Sequence, residues 1–125
     1  MNNLLIHDER ENDNRYTAHL EGRRIGSLSA LLVGQTVLLP HIEVDPSRHD
    51  LGIGSLLVRR ALDDARTDSH TVLALSPFVK RWADLHPDYR DVVRKPIAGE
   101  LTAVSTLITT DRTMRLLRGG TLAAL

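Results

Sequence analysis

The chain has 125 residues, of which 42% are hydrophobic, and its 16 basic and 16 acidic side chains give a formal charge of zero. This length predicts one domain with one ordinary core, and the balanced charge does not favour nucleic acid or an anionic membrane as a partner. The absence of cysteine excludes disulfides, zinc–thiolate sites and a cysteine nucleophile.

The first part of the chain predicts an antiparallel meander of four strands joined by short turns. Apolar and polar residues alternate around Tyr16 and Ala18, which is typical of a half-buried strand. Gly22 and Gly34 mark hairpin turns. Pro40 interrupts the fourth strand and, because proline cannot donate to a ladder, indicates an edge or a bulge. The predicted strands cover residues 4–6, 16–20, 24–33 and 36–44.

Residues 53–66 predict an amphipathic helix whose charged face carries pairs of opposite charge spaced for weak contact, Arg59 with Asp63 and Arg60 with Asp64. Residues 71–75 then predict a buried fifth strand, and 78–85 and 87–93 predict short helices or turns. The predicted apolar face of the long helix consists of Ile53, Leu56, Leu57, Ala61, Leu62 and Ala65.

A glycine turn, Leu51-Gly52-Ile53-Gly54-Ser55, joins the fourth strand to this helix. Two glycines allow close approach of a ligand, and the N–H groups at a helix start favour phosphate oxygens. The same turn also occurs for steric reasons alone, so by itself it does not establish a phosphate site. The meander and the lack of a third glycine argue against a dinucleotide-binding Rossmann unit.

Several blocks of the sequence, in order and spacing, resemble the small single-domain branch of the GNAT superfamily of N-acetyltransferases. They are Glu43-Val44-Asp45-Pro46, Gly52-Ile53-Gly54-Ser55-Leu56-Leu57-Val58, Ser76-Pro77-Phe78-Val79 and His86-Pro87-Asp88-Tyr89. The resemblance implies an α/β (α+β) fold: a mixed sheet with the four-strand meander, a crossover helix, a fifth strand parallel to the fourth, and short helices after it. It implies transfer of an acetyl group from acetyl-CoA (coenzyme A) to an amine.

The resemblance assigns cofactor binding to two stretches. Backbone N–H groups of the glycine turn would hold the pyrophosphate, and the end of the fourth strand would align the pantetheine arm by strand-like hydrogen bonds. The chain departs from the family's Arg-Gly-(Arg/Lys)-Gly-x-Gly pattern, because His49, Asp50 and Leu51 replace its first three residues. The cofactor-binding residues predicted in this way are Ile42, Val44, Leu51, Gly52, Ile53, Gly54 and Ser55.

Three residues are candidates for catalysis. Glu43 is the leading candidate for the general base, and His41 shares its face of the strand at a spacing of two. Both have plainer interpretations, as a strand-end carboxylate and as a surface or partly buried histidine. Ser76 stands where this branch often carries a cysteine, but it also suits a strand end before a turn. Trp82 stands where the family often carries a tyrosine, which protonates the leaving thiolate. An indole cannot protonate a thiolate, so Trp82 is predicted as a core or cleft-lining ring.

The remaining expectations concern organisation and partners. Residues 1–95 are predicted to form the acetyltransferase domain, and 96–125 an extension of uncertain structure, with a helix over 101–117. A non-catalytic acyl-CoA-binding or protein-interaction module remains the alternative function, and the sequence does not identify the amine. We expect a soluble, cytoplasmic monomer or weak homodimer without metal, nucleic acid or membrane partners, because no signal-peptide core or membrane span is present.

Overall fold

The computed structural model describes residues 3–97, 100 and 122–125, so the helix predicted over 101–117 lies outside the described residues. The strands are β1 (Leu4–Asp8), β2 (Arg15–Leu20), β3 (Arg23–Ser29), β4 (Leu31–Val33), β5 (Thr36–Leu39), β6 (Ile42–Val44), β7 (Thr71–Ala74), β8 (Val93–Arg94) and β9 (Ala123–Ala124). The helices are α1 (Arg10–Asp13), α2 (Ile53–Thr67) and α3 (Pro77–Leu85), with 3₁₀ turns at Pro46–Leu51 and Pro87–Tyr89. None of the helices in the described part of the chain is long and apolar enough to cross a membrane.

The strands form two sheets, one in the order β1-β2-β3-β6-β9 and one in the order β4-β5-β7-β8. β1, β2, β3 and β6 are antiparallel neighbours, whereas β5 and β7 are parallel, with Thr36 opposite Thr71 and Leu39 opposite Ala74. Parallel neighbours need a crossover connection, and α2 supplies it. The predicted mixed α/β fold with a fifth strand parallel to the fourth is therefore confirmed.

The third and fourth strands are not continuous, as the sequence predicted, but each breaks into two pieces that join different sheets. At Ala30 the N–H donates to the carbonyl of Asn14 at 2.9 Å, which ends β3. The chain bulges at Pro40. Leu39 and Ile42 both face the main core, although residues three apart in a regular strand point to opposite faces. Beyond this bulge β6 pairs with β3 and β9, whereas β5 before it pairs with β7 in the other sheet.

Helix α2 packs its apolar face on the sheet through β2, β3 and β6. It lies close to the sheet at Gly26, where an added Cβ would be 2.9 Å from Ile53 Cγ2. The predicted face was wrong at Leu56, which is 41% exposed, whereas Val58 is fully buried. Position 56 is not on the buried face of α2, which consists of Ile53, Gly54, Leu57, Val58, Ala61, Leu62 and Ala65.

The β2 strand is buried on both faces, which corrects its predicted half-buried state. Arg15 is 4% exposed; its Nε lies 2.9 Å from Asp13 Oδ2 and its Nη1 donates to Ser27 Oγ at 3.4 Å. Thr17 is fully buried and donates to a Glu9 carboxylate oxygen. Buried polar groups are tolerated when they are hydrogen-bonded, so this second face is a polar layer. The charge and hydroxyl groups at these positions had suggested solvent exposure.

Two short elements were not predicted. Residues 10–13 form the one-turn helix α1, where the polar stretch 11–14 predicts only a turn. Residues 93 and 94, which follow the matched His-Pro-Asp-Tyr block, form β8, a parallel neighbour of β7. Neither carries a periodic pattern long enough to be recognised in the sequence.

A buried tyrosine provides a test of how α2 is held on the sheet. Tyr16 is fully buried and its hydroxyl donates to Asp64 Oδ2 at 2.8 Å; burial, and then this bond, raise the pKa of Tyr16. We expect Tyr16→Phe to lower the free energy of unfolding by about 1–2 kcal/mol in urea titrations, because the bond to a charged acceptor is lost. Tyr89→Phe is the control: its partner Asp63 is exposed and water can replace the hydroxyl. An equal loss in both variants would contradict the burial argument.

Candidate functional site

The predicted site begins at β6, which lies between β3 and β9. The backbone groups of the odd-numbered residues in and around β6 bond to β3, as in the bond from Asp45 N to Ile25 O at 2.8 Å. Because backbone groups alternate along a strand, those of Ile42 and Val44 face the opposite edge. There the N–H of Leu125 donates to Ile42 O at 2.9 Å. The edge assigned to the cofactor arm therefore pairs with β9 in this structure.

The side chains of β6 separate two environments. Ile42 and Val44 are buried in the core under α2, whereas His41 and Glu43 lie on the other face. His41 Nε2 is 2.9 Å from Glu43 Oε1, and the two side chains are 22% and 21% exposed. The structure thus brings these two predicted residues into contact. An imidazole at this distance fixes the orientation of a carboxylate that can accept a proton.

The polar layer of the sheet continues beside Glu43. Ser27 of β3 is the direct partner of Glu43 in the register, so both side chains lie on the same face. Ser27 accepts from the buried guanidinium of Arg15. The sequence did not place Arg15 or Ser27 near the site, because register between strands is a long-range property. The alternating hydroxyls at 27 and 29 are a sequence signal of a polar face on β3.

The glycine turn leads into α2 as predicted. Asp45 Oδ1 accepts from the N–H and hydroxyl of Ser47, at 3.0 and 2.8 Å, and these bonds lower the pKa of Asp45. Gly52 has a φ of +67°, a left-handed conformation that glycine adopts without strain. The first bond of the helix runs from Leu56 N to Gly52 O at 3.1 Å. The N–H groups of residues 53–55 therefore lie at the positive end of the helix dipole.

Gly54 is the position of closest approach at the start of α2. An added Cβ would lie 2.9 Å from Phe78 Cζ and 2.7 Å from Leu125 Cδ1, so no larger residue fits without movement. The first turn of α2 contains no acidic residue. No carboxylate in this turn would therefore repel an anion held by the backbone N–H groups. Leu51 is 37% exposed at the entrance of the same turn.

Ser76 lies where the two sheets separate. It follows β7, its N–H donates to Leu39 O at 3.1 Å, and it begins α3. The residue is 2% exposed, and its Oγ has no hydrogen-bond partner among the residues that the structure describes. Since buried hydroxyls are normally bonded, this one has unused hydrogen-bonding capacity.

Trp82 is part of the core, which confirms its prediction as a structural ring. It is 5% exposed, its Nε1 donates to Ser55 Oγ at 2.7 Å, and its ring stacks on His86 with centroids 3.6 Å apart. The indole therefore holds α3 against the first turn of α2. The described residues contain no group of three or more His, Asp or Glu side chains that could hold a metal ion.

Comparisons with known proteins find a family and a fold similar to those of this chain. The sequence model described as GCN5-related N-acetyltransferase matches residues 15–92, which include Glu43, Gly54 and Ser76. The chain is similar to the solution structure of a GCN5-like protein from Staphylococcus aureus, with 20% identity, a TM-score of 0.61, and coverage of 79% of this chain and 96% of that one. No curated protein matches the chain.

Proposed function

The chain belongs to the GCN5-related N-acetyltransferase family, and from this we propose that it transfers the acetyl group of acetyl-CoA to an amine of a small molecule or protein. One observation supports this most: β6 carries Glu43 on one face and is joined by the 3₁₀ turn Pro46–Leu51 to the glycine that opens α2. The proton acceptor and the phosphate-binding turn are therefore held by one short stretch of chain. The amine itself is not identified by these residues.

The residues divide the work as follows. The N–H groups of residues 53–55 would hold the diphosphate, and the edge groups of Ile42 and Val44 would hold the arm. Acetyl-CoA, when bound, supplies a thioester that an amine can attack. Glu43 takes the proton from the attacking amine, and His41 keeps its carboxylate in position. The unbonded hydroxyl of Ser76 is available to donate to the thiolate or carbonyl oxygen.

A second candidate is a binding module that keeps the fold without catalysis. It is favoured by β9, which occupies the edge of β6 that the cofactor arm would use. Thermal unfolding with coenzyme A, and thiol release from acetyl-CoA with a panel of diamines, amino sugars and lysine peptides, separate the two. Amine-dependent thiol release supports the enzyme. A melting shift without thiol release supports the binding module. If neither a melting shift nor thiol release is observed, the cofactor assignment is contradicted.

The hydroxyl of Ser76 is expected to make a modest contribution. The thiol of coenzyme A is comparable to a cysteine of pKa about 8.5, so the thiolate can leave near neutral pH without an acid. Ser76→Ala should therefore lower turnover about tenfold or less, with the melting temperature unchanged because the Oγ has no described partner to lose. Turnover and melting are measured together. A loss of about 1,000-fold in a folded variant would make Ser76 a principal catalytic residue.

A further inference from the structure

The segment Leu122–Leu125 lies along β6 as an added strand. Ala123 is paired with Val44 and Ala124 with Glu43, in antiparallel register, and Leu125 N donates to Ile42 O at 2.9 Å. The backbone groups of β6 that face away from β3 are therefore engaged by this segment. Strand addition of this kind derives its affinity from main-chain bonds and its selectivity from alternate side chains.

The side chain of Leu125 anchors this segment on the core face of β6. It is paired with the buried Ile42, so it points to the core face, where it packs against the main cluster. Its Cδ1 lies 2.7 Å from the position of a Cβ at Gly54, beside the ring of Phe78. Ala124, the next residue along, is exposed on the opposite face. The slot between the first turns of α2 and α3 is thus filled by an apolar side chain of this same protein.

We propose that Leu122–Leu125 is an autoinhibitory strand: it occupies the place of the pantetheine arm, so the segment and the cofactor exclude each other. This inference rests on the proposed function, since it takes the edge of β6 as the cofactor's edge. The arm of coenzyme A contains amide groups that need the same backbone partners on Ile42 and Val44. Each of these groups bonds one occupant at a time, and the Leu125 side chain occupies the space next to Gly54.

The inference predicts that the segment weakens cofactor binding. If the edge is open for about a tenth of the time, the apparent Kd for coenzyme A is about tenfold above the intrinsic value. Deleting Leu122–Leu125 should therefore lower the Kd measured by calorimetry about tenfold. Adding the synthetic peptide Leu-Ala-Ala-Leu to the deletion variant should raise the Kd again in proportion to peptide concentration.

Two full-length variants keep the test independent of the deletion. Leu125→Asp should bind coenzyme A like the deletion variant, because a carboxylate beside Phe78 cannot be buried without a partner. Ala124→Ser is the control and should bind like the unmodified chain, since this side chain is exposed. Circular dichroism and melting temperature show whether each variant is folded.

The outcomes separate this inference from the proposed function. If the unmodified chain, the deletion variant and Leu125→Asp all bind coenzyme A with the same Kd, and the peptide does not compete, the inference is overturned while cofactor binding stands. If no form binds coenzyme A, the cofactor assignment is overturned, and the inference with it.

Discussion

Replacing Glu43 by glutamine is expected to lower the turnover number for amine acetylation by about 10²–10⁴-fold at neutral pH, with the Kd for acetyl-CoA nearly unchanged. The amide keeps the size of the side chain but cannot take a proton from the amine. The contact with His41 Nε2, at 2.9 Å, is available to the amide oxygen as well, so the local geometry is retained. Thiol release gives the turnover number, and calorimetry gives the Kd.

The matched control is the same substitution at Glu11, an exposed carboxylate on α1 that is not part of the site. Glu11→Gln should leave turnover and Kd unchanged. Equal losses of turnover and cofactor affinity, or a large fall in melting temperature, would instead assign Glu43 a structural role.

Gly54→Glu is expected to raise the Kd for coenzyme A by about 100-fold or more, which removes binding at micromolar concentrations. The new Cβ would lie 2.9 Å from Phe78 Cζ and 2.7 Å from Leu125 Cδ1, so the new side chain must displace these groups at the start of α2. Its carboxylate would face the diphosphate, and two unit charges about 4 Å apart interact by about 4 kcal/mol near a protein surface.

Two further variants separate charge from size. Gly54→Gln fills the same space without the charge, so its loss of affinity measures the steric part alone. Leu56→Glu places the same charge on the exposed side of the first turn and should retain binding. Native affinity in a folded Gly54→Glu variant would show that the first turn of α2 does not hold the cofactor.

The sequence was most informative where a few neighbouring residues decide the structure. The 3.6-residue pattern of α2, the continuous apolar strand β7 and the glycine hairpins are local, and all are found where they were predicted. The bulge at Pro40 belongs with them, since a missing donor is visible in the sequence itself. The contact between His41 and Glu43 also follows from strand alternation alone.

Pairing between distant segments decided the rest. The third strand ends at Ser29 because the next N–H, that of Ala30, donates to the carbonyl of Asn14. The polar face of β2 is buried because its side chains bond to residues outside β2. By itself, the sequence determined a mixed α/β domain in which a candidate base, a glycine turn and a helix follow one another along the chain. Only the tertiary structure placed Leu125 beside Gly54 on the edge of β6. The partner of a strand edge is set by register and space across distant parts of the chain, which no local sequence pattern encodes.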